Sequence, residues 1–276
     1  MEKKVQIIEG ANRKPLLIDV SLVADGQKKP LVIFCHGFKG LKDWGHFNEV
    51  AEAVAAAGFV LVKFNFSHNG TTPENPMDFA DLEAFGQNNY TKELTDLGAV
   101  RDHVLNPDFL PAEADKEQLF LMGHSRGGAT SILKTASDPR IKKLVTWASI
   151  SDIDARWPAD LEKWKTEGVR YILNGRTHQQ MPLYYQLYED FKANEAAYSV
   201  AAAAAGMSQP FLIIHGLNDE AVDATAAQEL HDWCAHSSLV LIAGAGHTFG
   251  VGHPHVGEIP DAALQVLEES IAFLKG

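Results

Sequence analysis

The stretch that decides the fold is Gly123-His124-Ser125-Arg126-Gly127, which lies between the apolar run Gln118-Leu119-Phe120-Leu121-Met122 and the segment Ala129–Lys134. The apolar run is typical of a buried strand, and the segment after the glycines is typical of a helix. A strand, the pattern G-x-S-x-G and a helix together indicate a nucleophile elbow, a sharp turn that exposes a serine hydroxyl. Because glycine has no Cβ, Gly123 and Gly127 would let the strand and the helix approach closely. We therefore interpret Ser125 as a candidate nucleophile, and the alternative is a glycine-rich turn around a buried serine.

Composition limits the classes of protein that this chain can be. It has 276 residues, of which 46% are hydrophobic, and this is an ordinary length for a single α/β domain with a sizeable core. Lys and Arg number 24 against 36 Asp and Glu, which gives a formal net charge of −12. Nucleic acids and anionic membranes are bound through basic faces, so the acidic excess argues against either partner.

Two cysteines, Cys35 and Cys234, are the only ones in the chain. Two buried free thiols are more consistent with these positions than a disulfide, and this favours a reducing compartment. The residues Met1–Gln6 lack the apolar core of a signal peptide, and no apolar run approaches the length of a membrane span. We expect a cytoplasmic protein that is a monomer or a homodimer.

Hydrophobic patterning predicts a doubly wound, mostly parallel sheet. The predicted strands are 5–8, 16–24, 31–35, 59–66, 118–122, 144–150, 211–215 and 239–242, and the predicted helices are 47–54, 94–104, 129–134, 224–234 and 262–274. The alternation of strand and helix implies parallel strands joined by right-handed crossovers.

Two segments interrupt this alternation. Residues 67–89 form a long polar stretch, and loops of that length in compact domains are often functional. Residues 151–209 are too long for a simple crossover, and they contain a predicted hairpin at 169–185, an aromatic helix at 188–194 and an alanine run at 201–205. We interpret 151–209 as a small lid inserted into a single domain, 1–276, and the alternative is an ordinary packed excursion of that domain.

The partners that a serine nucleophile needs follow two later strands. An unactivated serine needs a base to take its proton, and the base needs an orienting acid. Asp219 follows the strand 211–215 and His247 follows the strand 239–242, in the order serine, acid, histidine that α/β hydrolases use. Both lie at carboxyl ends of parallel strands, where doubly wound sheets place their chemistry. We expect Asp219 to hold one nitrogen of His247 while the other nitrogen faces Ser125.

Each of these assignments has a competitor. Asp219 could instead cap the next helix, although Asp223 is the better capping candidate, and some hydrolases carry the acid where Asp152 and Asp154 stand. His253 and His255 compete with His247 for the role of base. The three histidines could also suggest a metal site, but no carboxylate cluster stands beside them at ligand spacing, so we expect no metal.

A tetrahedral intermediate also needs donors for its oxyanion. The expected donors are the backbone N–H of Arg126, which follows the serine, and the N–H of Phe38 in the loop His36-Gly37-Phe38 after an earlier strand. The alternative is a plain turn that ends the strand. His36 is expected to be structural, like His68, His103 and His124.

Four motifs together resemble a known superfamily. His36-Gly37-Phe38, Gly123–Gly127, His215–Asp219 and Gly246-His247 look like those of the α/β hydrolases. Within them the chain is similar to the esterases near dienelactone hydrolase, to cinnamoyl (feruloyl) esterases and to the catalytic domain of prolyl-oligopeptidase-type peptidases. It has serine at 125 where dienelactone hydrolase has cysteine. The resemblance implies an α/β-hydrolase fold and covers nearly the whole chain, with 151–209 its least diagnostic part.

The sequence therefore predicts a serine hydrolase that cleaves a small-molecule carboxylic ester and needs no cofactor. Tyr184, Tyr185 and Phe249 are the expected substrate contacts, because aromatic side chains bring a large apolar area to a pocket. One alternative is a small peptidase or amidase, for which Glu220 is the one obvious anchor of a substrate amine. Another is a binding protein that keeps the fold without catalysis.

Overall fold

In residues 1–106, 108 and 113–276, which the computed structural model describes, eight strands form one sheet and two more form a separate hairpin. The strands are β1 Glu2–Glu9, β2 Pro15–Leu22, β3 Lys29–Cys35, β4 Val60–Phe64, β5 Ala114–His124, β6 Ile141–Trp147, β7 Val169–Leu173, β8 Gln180–Tyr184, β9 Phe211–Gly216 and β10 Ser237–Ile242. The helices are α1 Phe47–Ala56, α2 Leu82–Gly86, α3 Tyr90–Leu105, α4 Arg126–Ser137, α5 Leu161–Glu167, α6 Gln186–Ala193, α7 Val200–Gly206, α8 Thr225–Trp233 and α9 Asp261–Lys275.

The large sheet has the order β1-β2-β4-β3-β5-β6-β9-β10. β1 and β2 pair antiparallel, β2 is antiparallel to β4, and every later pairing is parallel. The predicted doubly wound, mostly parallel sheet is confirmed. Its parallel strands end at one edge, so the loops after β5, β9 and β10 meet there.

Both faces of the sheet are covered, which explains the continuous apolar runs of its central strands. In β3, Leu31, Ile33 and Cys35 join one core with residues of α3, α4 and α8. Val32 and Phe34 join the other core with residues of α1 and α9. Alternate side chains of one strand therefore fill two different cores.

Some boundaries differ from the predicted ones. β6 ends at Trp147 rather than at residue 150, because Ala148 turns the chain with a φ of +48°. The stretch 67–89 is not a plain loop, since it contains α2, whose N-terminus is capped by the Asp81 side chain accepting from the Ala84 N–H. Cys234 lies just after α8 rather than within it.

Both cysteines are free and buried, as expected. Burial raises the pKa of the Cys35 thiol to about 12. Cys35 is therefore an uncharged core residue and is unreactive at neutral pH.

Residues 151–209, called the excursion from here on, contain a short 3₁₀ turn at Asp154–Arg156, α5, the β7–β8 hairpin, α6 and α7. The predicted hairpin is confirmed, and its strands pair antiparallel from Val169 opposite Tyr184. α5 was not predicted. The excursion returns to the main core through Val200 and Ala204 of α7.

Within the described ranges, no helix combines the length and the apolar character that crossing a membrane requires.

Candidate active site

Ser125 lies in the turn between β5 and α4, at φ +55° and ψ −120°. A non-glycine residue at positive φ is strained by roughly 1–3 kcal/mol, and the surrounding backbone must hold it there. The Ser125 N–H donates to the Trp147 carbonyl at 2.8 Å. A Cβ on Gly123 would lie 2.4 Å from the Gly127 carbonyl oxygen, and one on Gly127 would lie 2.4 Å from the Cys35 carbonyl oxygen. The two glycines are thus required by the close packing of backbone on both sides of the serine.

The structure brings Ser125, Asp219 and His247 together. The Ser125 Oγ lies 3.0 Å from His247 Nε2, and His247 Nδ1 lies 2.7 Å from Asp219 Oδ2. A carboxylate only accepts hydrogen bonds when ionised, so it selects the tautomer that is protonated on Nδ1. Nε2 is then free to accept the serine proton.

The surroundings of Asp219 keep its carboxylate charged. The carboxylate is fully buried, and its Oδ1 accepts the N–H groups of Ala221 and Val222 at 2.8 and 2.9 Å. Burial alone would raise the pKa of Asp219, but hydrogen bonds from His215, His247 and the Val222 N–H hold that pKa well below its usual range. Asp219 is therefore an anion at any pH near neutrality, and it can stabilise positive charge on His247.

Among the described residues, the side chains that competed for the roles of acid and base form no hydrogen bond with Ser125. Asp223, rather than Asp219, accepts the Thr225 N–H at the start of α8, at 2.9 Å. Asp152 and Asp154 are exposed. His253 accepts the Gly45 N–H through Nδ1 at 2.9 Å and stacks on Trp44, and His255 lies beside His46.

The two expected oxyanion donors flank Ser125. Among the described residues, neither the Phe38 N–H nor the Arg126 N–H has a hydrogen-bond acceptor. Gly37 brings the loop after β3 against the serine, because a Cβ on Gly37 would lie 3.0 Å from the Ser125 Cβ. Both N–H groups are therefore available to an oxygen atom of a ligand.

Two further histidines support this arrangement, of which His215 is buried and His124 is half-buried. The sequence predicted a structural role for His124 and placed His215 only within a motif. His124 Nε2 donates to the His247 backbone carbonyl at 3.0 Å, and its ring packs 4.8 Å from the His247 ring. Burial, together with the nearby His247, lowers the pKa of His124 to about 3, so it stays neutral. His215 donates through Nε2 to the Val222 carbonyl at 2.9 Å and lies 3.2 Å from Asp219 Oδ2. The position of both at the ends of buried strands was the signal available in the sequence.

His36 is structural, as expected. It is buried, its Nε2 accepts the Phe66 N–H at 3.3 Å, and burial lowers its pKa to about 4.

Two cavities open beside Ser125. The large cavity has a volume of about 550 Å³, and the excursion supplies much of its wall, including Trp157, Trp164, Leu183 and Leu187. The small cavity has a volume of about 260 Å³, and its wall includes Trp44, Arg176 and His253. Ser125, His247, Phe38 and Lys39 border both.

The three expected aromatic contacts do not belong to either wall as the structure describes them. Phe249 is only 2% exposed and lies in the core. The Tyr184 hydroxyl donates to Glu83, which turns this side chain toward α2. Tyr185 packs on Trp164 and Tyr188, behind the wall. The aromatic side chains of the excursion that line the large cavity are Trp157 and Trp164.

Two further expectations concern a metal site and an acidic anchor near Ser125. The described residues include no group of three His, Cys, Asp or Glu side chains placed to hold a metal ion. Glu220 is exposed and lies outside both described walls.

Comparison with known proteins identifies the family of the chain. Residues 26–182, more than half of the chain, match the family model Hydrolase_4, described as serine aminopeptidase, S33. A search of curated proteins found no match.

Solved structures resemble nearly the whole chain. Est1E from Butyrivibrio proteoclasticus, solved with ferulic acid, is 21% identical with a TM-score of 0.69, over 98% of this chain and 100% of that one. The esterase domain of a Rhodothermus marinus protein is 20% identical with a TM-score of 0.65, over 99% and 98% of the two chains. A puromycin-hydrolyzing peptidase of Mycobacterium tuberculosis is 18% identical with a TM-score of 0.65, over 99% of this chain and 39% of that one.

At these identities the structural likeness shows the fold, and the family match carries the assignment. The α/β-hydrolase resemblance predicted from the motifs is confirmed. The chain belongs to the S33 serine aminopeptidase family of α/β hydrolases.

Proposed function

We propose that this protein is a serine hydrolase of carboxylic esters, with Ser125 as nucleophile, His247 as base and Asp219 as the orienting acid. The observation that carries the proposal is the continuous chain of hydrogen bonds from Ser125 Oγ through both ring nitrogens of His247 to Asp219, at 3.0 and 2.7 Å. It supplies the activation that a serine hydroxyl lacks at neutral pH.

The reaction proceeds in two steps. Ser125 Oγ attacks the ester carbonyl carbon while its proton passes to His247 Nε2. The bond to the alcohol oxygen then breaks, and His247 returns the proton to that oxygen. Water, deprotonated in turn by His247, attacks the acyl-serine carbonyl and releases the acid, and Ser125 recovers its proton. All bonds and protons in these two steps are accounted for by the ester, water and the three side chains, without a cofactor.

Negative charge develops on the carbonyl oxygen in both steps. The N–H groups of Phe38 and Arg126 are the proposed donors to it, because both flank the serine and have no acceptor among the described residues. One such donor is worth on the order of 10²–10³ in turnover.

The excursion is proposed to act as a lid within a single domain, 1–276. Its side chains form a wall of the large cavity while α7 anchors it to the core. A covered cavity excludes water and favours small-molecule substrates with an apolar part.

A second candidate, an aminopeptidase, is favoured by the description of the matched family and by the name of the puromycin-hydrolyzing peptidase. An aminopeptidase binds the ammonium group of its substrate, and a carboxylate is the natural partner for that charge. No Asp or Glu lines the described part of either cavity, which favours the esterase.

The experiment is a panel of 4-nitrophenyl esters and aminoacyl 4-nitroanilides, together with labelling by a fluorophosphonate. We expect ester cleavage and labelling in the native protein, and neither in Ser125→Ala, with an unchanged circular dichroism spectrum. Preferential anilide cleavage would establish the peptidase instead. Equal labelling of both proteins would remove Ser125 from the mechanism.

A further inference from the structure

The wall of the large cavity is basic although the chain as a whole is acidic. Its lining includes Lys39, Arg126, Arg156 and Arg170, whereas the formal net charge of the chain is −12. Among the described residues of this wall there is no aspartate or glutamate. A purely apolar substrate would offer these cations no polar partner, and a charged group that loses water without gaining such a partner is costly.

Arg126 is the buried member of this set. Only 10% of its side chain is exposed, and its guanidinium lies 4.0 Å from the centroid of the Tyr90 ring. Its Nε lies 2.9 Å from Glu93 Oε1, an ion pair outside good hydrogen-bond geometry, and its buried Nη2 has no acceptor. The Glu93 carboxylate also accepts from Asn88 and Thr130, at 2.8 and 3.1 Å. Arg126 therefore places on the cavity wall a positive charge whose carboxylate partner leaves part of the guanidinium without an acceptor among the described residues.

The other three cations have no acidic partner among the described residues. Lys39, Arg156 and Arg170 form no ion pair in the part of the chain that the structure describes. Arg156 donates from Nη2 to the Ala221 carbonyl at 3.0 Å, and Arg170 lies over the Trp164 ring at 5.9 Å. These contacts orient the two guanidinium groups but bring no carboxylate of the described residues to them. The four cations come from the loop after β3, from α4 and from the excursion. They therefore surround the large cavity instead of lying along a single secondary-structure element.

We propose that the ester substrate carries a carboxylate on the part that occupies the large cavity. This inference rests on the proposed esterase function and narrows its substrate class. Arginine recognises carboxylates through parallel hydrogen bonds, and Trp157 and Trp164 offer apolar area to the rest of the molecule. The substrate is therefore an apolar or aromatic ester with one free acid, either on its acyl part or on its alcohol part.

The test compares acids with their neutral amides in two arms. In the acyl arm, the mono-4-nitrophenyl ester of adipic acid is compared with the corresponding half-amide. In the alcohol arm, 4-acetoxybenzoate is compared with 4-acetoxybenzamide. We expect kcat/KM for the acid to exceed that for the amide by roughly 10- to 100-fold in one arm, the range expected for hydrogen bonds to a charged group. The excess should shrink as NaCl rises, because part of this wall is open to screening by salt.

Substitutions of wall residues then test whether the cations of the large cavity cause the preference for the acid over the amide. Arg156→Gln and Arg170→Gln should each lower the acid-to-amide ratio several-fold. Arg13→Gln makes the same change of charge at an exposed position outside the cavity and should leave the ratio as it is. Equal hydrolysis of acid and amide in both arms overturns this inference while the proposed esterase stands. Failure to cleave any ester, with no fluorophosphonate labelling, overturns both.

Discussion

Two regions face the large cavity: the edge of the sheet, where Ser125 lies, and the excursion. The two regions are packed in different ways. At the sheet edge, backbone packs on backbone, so that a single added methyl group on Gly123 or Gly127 would come within 2.4 Å of a carbonyl oxygen. In the excursion, side chains such as Trp157, Trp164 and Arg170 form the wall, and a Cβ on Gly175 of its hairpin would meet no atom within 4 Å. Precise placement is thus needed at the sheet edge more than in the excursion. Positions that act on the reacting atoms tolerate almost no displacement, whereas positions that select a substrate can vary.

The largest loss of activity is expected when the proposed base at the sheet edge is removed. We expect His247→Ala to lower kcat/KM on the order of 10⁶-fold, because triad residues act as a unit and the serine keeps its proton without the histidine. The matched control is His253→Ala, because His253 lines the small cavity together with His247. This variant should keep most activity, since His253 accepts a hydrogen bond from Gly45 and makes none with Ser125. Inactivation by His253→Ala with an active His247→Ala would show that the base is misassigned.

A smaller loss is expected when the acid is neutralised without a change of shape. Asp219→Asn removes the charge that faces His247 and disturbs the tautomer, and in such triads this costs on the order of 10⁴ in kcat. Asp223→Asn, which affects only the start of α8, should change kcat less than a few-fold. Comparable losses in the two variants would mean that the region is merely destabilised.

The preference among ester substrates, by contrast, should change when cavity-lining side chains of the excursion are replaced. Trp157 lines the large cavity, whereas Tyr185 belongs to the same aromatic group but lies behind the wall. We expect Trp157→Ala to change the relative kcat/KM of aryl and short alkyl esters by roughly 10- to 200-fold. Tyr185→Ala should leave the preference in place, with melting temperatures measured for both. A larger change of preference in Tyr185→Ala would contradict the assignment of the wall.

Two glycine replacements compare the tolerance of the two regions directly. Gly127→Ala forces a methyl group against the Cys35 carbonyl and should destabilise the protein by about 1–3 kcal/mol. Gly175→Ala lies in the hairpin turn with no atom within 4 Å of the added Cβ, and should stay within about 0.5 kcal/mol of the native protein. Urea unfolding measures both. Equal stabilities would contradict the close packing at the elbow.

The positions of the three candidate site residues were largely predictable because they depend on local pattern. A strand, a short sequence motif and a helix define the turn at Ser125, and the two loops with Asp219 and His247 follow strands that end at the same edge. The β7–β8 hairpin was predictable for the same reason, since its turn residues lie between two short apolar runs. The α2 helix was missed because one capping contact, from Asp81, stabilises a segment that is otherwise polar and rich in turn formers.

The α/β class, the parallel sheet and the three residues that meet at its edge follow from the sequence, because periodicity and the order of motifs can be recognised without knowledge of long-range contacts. Which side chains face the cavity depends on long-range packing. Tyr184, Tyr185 and Trp157 are equally aromatic in the sequence, yet a hydroxyl bond to Glu83 and packing on Trp164 remove the tyrosines from the wall. The assembly of Lys39, Arg126, Arg156 and Arg170 around one space was likewise invisible, since these residues are up to 131 positions apart, from 39 to 170, and only folding brings them to one cavity.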